Sequence, residues 1–482
     1  MEPRPPEASD PASPEARLTQ LGPIRFGVTG ISVKPRRRAR PWGKTIPYAE
    51  ITHCSRARWG YAIATTRGII FVRQSQFASR EALASADVEL RARIAGLPEG
   101  AAQLEQMAQI DARSSRPGRY LAVYGFLALC VVAQFLQFDD PAISHMGSFM
   151  PSLVAQGELW RVLVANFLHD TLLFPVHLLL NAICIFSFGV LVERTLGPSR
   201  SVFIMGVSGA GAMWASSLAG YSEVIGGSGV AAGLVGATLC LEFNAARFLP
   251  VWSRIPRRVF LGALLAQGVV DLAIPFVAGA AHAGGFLSGY IATRFFVGRG
   301  RGITASGPFS RRLALLVILL LAISVAAMQP LVERDPVALE AHGIRVLEMP
   351  DPSVRYDNEA AWRMLTESKP SETGVEVAVI LALRAAQRSH WSDPNVLDTL
   401  AESLFASGDR AGALEVIYEA IILSRGHRYF MEQRDRFLGR RDPEDRPEPP
   451  EDGWWRRPVP SPGEDPLEPG IEPAAPGESV WI

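Results

Sequence analysis

The sequence predicts a polytopic α-helical membrane protein with a small β-rich domain at its N-terminus and an α-helical domain at its C-terminus. Three observations carry this. Long apolar stretches recur between Tyr120 and Val332, arginines cluster in alternate connections between them, and strand-like and amphipathic patterns are confined to the two ends. The 482 residues allow about three units at roughly 100 to 200 residues each. With 48 basic and 48 acidic residues the net charge is zero, so nothing argues for a nucleic-acid partner. Of the cysteines, Cys130, Cys184 and Cys240 fall inside apolar runs and Cys54 stands alone, without the paired spacing of a metal site. No metal and no cofactor is expected.

Residues 1–21 are rich in Pro, Glu and Ser, lack the apolar stretch of a signal peptide, and are expected to form a disordered tail on the side of synthesis. Residues 22–100 form the β domain. Its β-branched or alternating runs, IRFGVTGISV, IPYAEITHC, WGYAIATT and GIIFVRQ, are separated by turn residues and predict one antiparallel sheet. Ser79 to Ile94 follows with apolar residues at helical spacing, opened by Ser79 with Glu81 in the first turn, and predicts a helix capping that sheet. Ile46-Pro47-Tyr48, Ile51, Trp59 and Thr66-Arg67-Gly68-Ile69, followed by this helix, resemble a bacterial pleckstrin-homology-like module. Residues 101–118 are expected to be a linker.

Seven spans follow from the need for about 20 apolar residues per transmembrane helix. They are placed at 120–137, 174–192, 201–219, 228–244, 259–276, 279–297 and 313–331, six in a core over 119–298 and the seventh after a basic loop in 299–332. The shorter ones suit helices enclosed by others. Arg113, Arg116 and Arg119 precede the first span, Arg194 and Arg200 lie between the second and third, and Arg247, Arg254, Arg257 and Arg258 between the fourth and fifth. Arg294, Arg299, Arg301, Arg311 and Arg312 lie between the sixth and seventh. Since cations favour the cytoplasmic side, the N-terminal module is expected there and the C-terminal domain outside, in a bacterial cytoplasmic membrane.

Residues 333–440 have soluble character. Within them Pro394 to Arg425 reads as two amphipathic helices around Ser407-Gly408-Asp409, and 373–390 supplies another helix. Leu397, Leu400, Ala401, Leu404, Gly408, Ala413, Val416 and Ala420 occupy positions that resemble a tetratricopeptide repeat, which implies protein partners at this segment. Residues 441–482 are Pro- and Glu-rich and are expected to be disordered.

Polar residues inside a membrane are costly and tend to mark function. Here they are His177 and Asn181 in the second span, Ser228 opening the fourth, Asp271 near the outer end of the fifth and His282 opening the sixth. Ser228 stands in Gly226-Gly227-Ser228-Gly229 with Gly233 beyond, at a helix start whose free N–H groups favour a developing oxyanion. Taken alone, the motif reads more simply as close helix packing through small residues. His282 has Gly285 and Gly289 along its own face, so two glycine faces can bring a nucleophile and its base together at one depth. No carboxylate in a neighbouring span clearly orients the histidine, and a dyad is predicted. His177 and Asn181, at i and i+4, share a face and offer two donors, either to an oxyanion or to an interhelical hydrogen bond.

Together these residues resemble the rhomboid family of intramembrane serine proteases. The resemblance runs from Tyr120 to Phe296 through Glu158-Leu159-Trp160-Arg161, Phe167-Leu168-His169, His177-Leu178-Leu179-Leu180-Asn181, Glu193, Gly197, Arg200, the Gly-x-Ser-Gly at 226–229, and His282 with Gly285 and Gly289. It implies a six-helix core in which Ser228 attacks and His282 is base and then acid. His177, Asn181 and the Ser228 N–H would hold the oxyanion, with Gly226, Gly229, Gly233, Gly285, Gly289, Trp160 and Arg161 as support. Substrates would be single-span membrane proteins cut in or near the bilayer. Two departures stand out: Ala232 replaces the aromatic residue whose ring packs on the histidine in the family, and His169 and His177 are further apart than is usual there. The rival reading is a catalytically silent rhomboid-like scaffold. A transporter fits less well, because the polar residues cluster at one depth instead of forming a relay across the bilayer.

Overall fold

The computed structural model describes residues 19–448 except 35–41, 116–118, 172, 275–276, 298–302 and 304–306. Of the tails expected over 1–21 and 441–482, residues 1–18 and 449–482 lie outside the described residues, and within 441–448, expected to be disordered, Arg446 meets Glu402 at 2.9 Å. The chain divides into two units, one made of residues 1–131, 175–215 and 227–317, the other of 132–174, 216–226 and 318–482.

The first unit begins with strands β1 (Thr19–Leu21), β2 (Ile24–Phe26), β3 (Gly30–Val33) and β4 (Ile46–Pro47) in one antiparallel sheet, then β5 (Ile51–Ala57), β6 (Gly60–Thr65) and β7 (Gly68–Arg73) in another. The single predicted sheet is therefore corrected to two. A short 3-10 turn at Tyr48–Glu50 after Pro47 breaks the path between them, since proline removes a ladder donor. Thr19–Leu21, assigned to the tail, pairs with β2 instead. Helix α1 (Arg80–Ala95) is capped by the Ser79 hydroxyl, which accepts from the Ala82 N–H. The expected linker is largely a second helix, α2 (Gly100–Ser115), because its apolar side has a core to join. Met107 is buried with Phe26, Ile51, Tyr61 and Leu90, and Gln103 donates to the Tyr48 and Ile51 carbonyls at 2.9 and 2.6 Å.

Long helices occupy the seven apolar stretches: α3 (Leu121–Asp139) and, after three short helices α4 (Ala142–Gly147), α5 (Pro151–Ala155) and α6 (Arg161–Val164), α7 (Val176–Leu196), α8 (Pro198–Leu218), α9 (Ser228–Asn244), α10 (Arg257–Ala273), α11 (Gly279–Phe296) and α12 (Pro308–Val332). Among the described residues four of them, α3, α7, α8 and α12, are long and apolar enough to cross a membrane, and α9 is apolar but shorter. Their exposed faces carry Val132, Phe135, Leu180, Ile183, Leu316, Leu319 and Ile323, an apolar surface suited to lipid. Glu193 near the end of α7 accepts from the Ala122 and Val123 N–H groups at 3.0 Å each and so caps the start of α3. Gly197 ends α7 at φ 85°, a conformation glycine adopts without strain.

The β domain is fastened to the loop between α9 and α10. The His53 ring takes the Val251 N–H on Nδ1 at 3.1 Å and meets Asp111 through Nε2 at 3.0 Å. Arg254 forms a two-pronged pair with Glu242 at 2.7 and 2.8 Å and reaches the Thr65 carbonyl at 3.4 Å.

The second unit gathers the loop after α3, the turn before Ser228 and helices α13 (Pro336–Leu347), α14 (Val354–Thr366), α15 (Glu372–Arg388), α16 (Pro394–Ala406), α17 (Arg410–Leu423) and α18 (Arg428–Phe437). Ser353, Ser371, Asp393 and Asp409 cap α14 to α17 through their side chains, and Gly408 turns the chain between α16 and α17 at φ 88°. Successive helices pack on each other around Ala361, Met364, Leu381, Leu397, Ile417 and Phe430, all buried.

Within this unit Arg161 has no exposed surface. Its guanidinium meets Glu158 at 2.6 Å and donates to the His145 and Ser148 carbonyls at 2.6 and 2.7 Å. The other Glu158 oxygen meets His342 at 2.7 Å and Arg345 at 3.4 Å, both on α13. Burial pushes the Glu158 carboxyl up, but Arg161 and His342 outweigh it and hold it down at about 2. Trp160 donates its indole N–H to the Met146 carbonyl at 3.0 Å.

Candidate active site

Ser228 is the first residue of α9, preceded by Gly227 as cap and by Gly226 at φ 124°. Only glycine holds that backbone conformation without strain. The first N–H groups of a helix lack partners within it, so the serine sits where donors are available.

Helices α9 and α11 touch through their glycines. A methyl group on Gly289 would lie 2.1 Å from the Gly233 carbonyl oxygen, and one on Gly236 equally close to the Phe286 carbonyl oxygen. This approach brings Ser228 Oγ within 2.8 Å of His282 Nε2. The other ring nitrogen, Nδ1, meets Asp271 Oδ1 at 2.8 Å. With a carboxylate there, Nδ1 carries the ring proton and Nε2 is free to accept from the serine hydroxyl.

Asp271 lies on the last turn of α10. A neighbouring carboxylate had not been expected for His282, and the structure corrects that. The sequence signal was an acid inside an apolar helix. Its partner depended on a tertiary turn, because α10 ends two residues after Asp271 and the chain comes back so tightly that a methyl on Gly279 would stand 2.9 Å from the Asp271 Cβ. Gln267, one turn earlier, donates to the same Oδ1 at 2.8 Å.

His177 and Asn181 share one face of α7, which packs against α9. Asn181 is buried, and its Nδ2 finds no acceptor among the described residues. Trp160 and Arg161 belong to the second unit, where they order the loop after α3.

Residues 156–299 match the family model described as the rhomboid domain. That supports the rhomboid family. The chain is also 28% identical over 228 residues to "Rhomboid protease GluP" of Bacillus subtilis (strain 168), covering 46% of this chain and 42% of that one. It is 30% identical over 157 residues to "RHOMBOID-like protein 5" of Arabidopsis thaliana, covering 31% and 48%. With "RHOMBOID-like protein 6, mitochondrial" of the same plant it shares 30% over 162 residues, covering 32% and 50%. The matches thus span half or less of each relative. The rhomboid match contains Trp160, Arg161, His177, Asn181, Ser228, Asp271 and His282, whereas the β domain and helices α13 to α18 lie outside it. With the apolar helices, it supports an integral membrane protein of a rhomboid protease-like kind.

Proposed function

We propose that this protein is an intramembrane serine endopeptidase that cleaves single-span membrane proteins in or near the bilayer. The observation that carries the reading is the 2.8 Å contact between Ser228 Oγ and His282 Nε2, the geometry a serine needs to become a nucleophile. Ser228 Oγ attacks the scissile carbonyl carbon while its proton passes to Nε2. The imidazolium then protonates the leaving amine nitrogen as the C–N bond breaks. Water enters, gives a proton to Nε2, and its oxygen attacks the acyl ester. The proton finally returns to Ser228 as the acid departs.

Asn181, whose buried Nδ2 awaits an acceptor, holds the oxyanion with His177 and the Ser228 N–H. Gly229, Gly233, Gly285 and Gly289 permit the close helix approach, Gly226 makes the positive-φ turn ahead of Ser228, and Trp160 and Arg161 order the first loop.

The seven helices form seven spans in a bacterial cytoplasmic membrane, with the N-terminus inside and the C-terminal domain outside. Two packings favour this. The β domain rests on the loop between α9 and α10, whose arginines assign it to the inside, and α13 rests on the loop after α3, which follows the first span and is assigned to the outside. The C-terminal helices, with their repeat-like hairpin, bind protein partners, among them the soluble part of substrates.

The test is cleavage of a single-span reporter in proteoliposomes. Ser228→Ala and His282→Ala are each expected to lose cleavage while remaining folded, and a fluorophosphonate is expected to label the wild type but not Ser228→Ala. Full activity in either variant removes the mechanism.

A further inference from the structure

Once a carboxylate lies on the far side of the histidine, a two-residue account of the site is incomplete. His282 has no aromatic ring at position 232 to pack against, since Ala232 ends at its methyl. A histidine that shuttles a proton needs its ring plane fixed and its tautomer chosen. Both are supplied by one contact, the 2.8 Å bond from Nδ1 to Asp271 Oδ1. The side chains are only 13% and 15% exposed, so the interaction is little screened. The carboxylate is in turn held by Gln267 on the same oxygen, and Gly279 removes the side chain that would keep the end of α10 away.

Resting on the serine–histidine reading above, we propose that Asp271 is the positioning residue of the site, orienting His282 and stabilising the imidazolium that forms when Ser228 gives up its proton. Asp271 stays ionised throughout. The proton moves between Ser228 Oγ, His282 Nε2 and the substrate nitrogen, while the Nδ1 proton remains on the ring, donated to Asp271.

A tether that merely joins α10 to α11 would leave the pH profile alone, and this separates the two roles. In proteoliposomes with a single-span reporter, Asp271→Asn is expected to lower kcat by about 10-fold or more, because an amide neither fixes the tautomer nor offsets the imidazolium charge. The acid limb of its kcat/KM profile moves to lower pH, since losing a nearby negative charge disfavours imidazolium. Asp271→Glu brings the limb back toward the wild-type position. Gln267→Leu, which strips a donor from the same carboxylate and leaves more of its charge for the ring, moves the limb the other way and guards against an Asp271→Asn variant that fails to fold. A limb unmoved in folded Asp271→Asn, or in Gln267→Leu where only that variant folds, overturns the proposal, as does a loss of rate that is equal at every pH. Ser228→Ala is the separate control: if it retains cleavage, the serine–histidine reading itself falls, whereas an inactive Ser228→Ala beside an unshifted Asp271→Asn removes only the role of Asp271.

Discussion

Gly285 and Gly229 stand so close that a methyl group added to Gly285 would lie 2.1 Å from the Gly229 carbonyl oxygen. The obstacle is backbone, which cannot rotate aside as a side chain can. Gly285→Ala should therefore force α9 and α11 apart and cost about 1–3 kcal/mol of stability, the range for overpacked contacts. Thermal unfolding in detergent reads this out, and an unchanged midpoint would show that the contact is looser than described. Activity should fall further than stability, because Ser228 adjoins Gly229 and His282 lies about one turn from Gly285.

Asn181 offers a second test. Its buried amide finds no acceptor among the described residues, so truncation removes little from the resting protein and a donor from the transition state. Asn181→Ala is expected to lower kcat by about 100-fold, the scale for losing one oxyanion donor, with KM nearly unchanged. A rise in KM at constant kcat would instead place Asn181 in substrate binding.

Glu158 neutralises an Arg161 that has no exposed surface. Glu158→Gln leaves that charge buried without its counter-ion and should destabilise the second unit by about 3–5 kcal/mol. A pH titration gives the same answer from another side. The folded carboxyl is held at about 2 against an ordinary 4.5, so the unfolded chain takes up the proton first. The contribution is present above pH 4.5 and is lost as pH falls from there toward 2. Acid unfolding of the C-terminal helices should shift to higher pH in His342→Ala, as followed by circular dichroism.

The β domain predicts the behaviour of a histidine. Burial lowers the His53 pKa below its ordinary 6.5, against the pull of Asp111. Its Nδ1 accepts the Val251 N–H, which a protonated ring cannot do. The contact is present above pH 6.5 and weakens as pH falls below it. Hydrogen exchange at the Val251 amide should accelerate on acidification in the wild type and be fast at every pH in His53→Ala.

Much of the helical architecture was legible because an apolar run of about 20 residues has few alternatives. Ser228 and His282 stood out as candidates for a related reason, since polar groups are conspicuous against such runs, and the structure brings their side chains within 2.8 Å. The contact of Asp271 with His282 could not be read in this way, although Asp271 stood out equally: it depends on how sharply α10 turns into α11, a tertiary fact to which the close approach of Gly279 contributes. The division of the N-terminal strands was hidden by the same kind of detail, a proline and a 3-10 turn between β4 and β5. Helix α2 looked like a linker because its apolar positions are sparse, and Met107 counts as core only once a sheet is there to receive it.

The Glu158–Arg161 contact has a direction that a charge count would miss. Arg161 donates to two backbone carbonyls as well as to the carboxylate, and Glu158 accepts from α13 as well as from Arg161. Exchanging the two residues keeps the net charge but turns an acceptor toward two carbonyl oxygens and a cation toward His342 and Arg345. A double swap would thus be worse than either single change, and suppressors of a defective position 161 should appear among uncharged donors and not among reversed pairs.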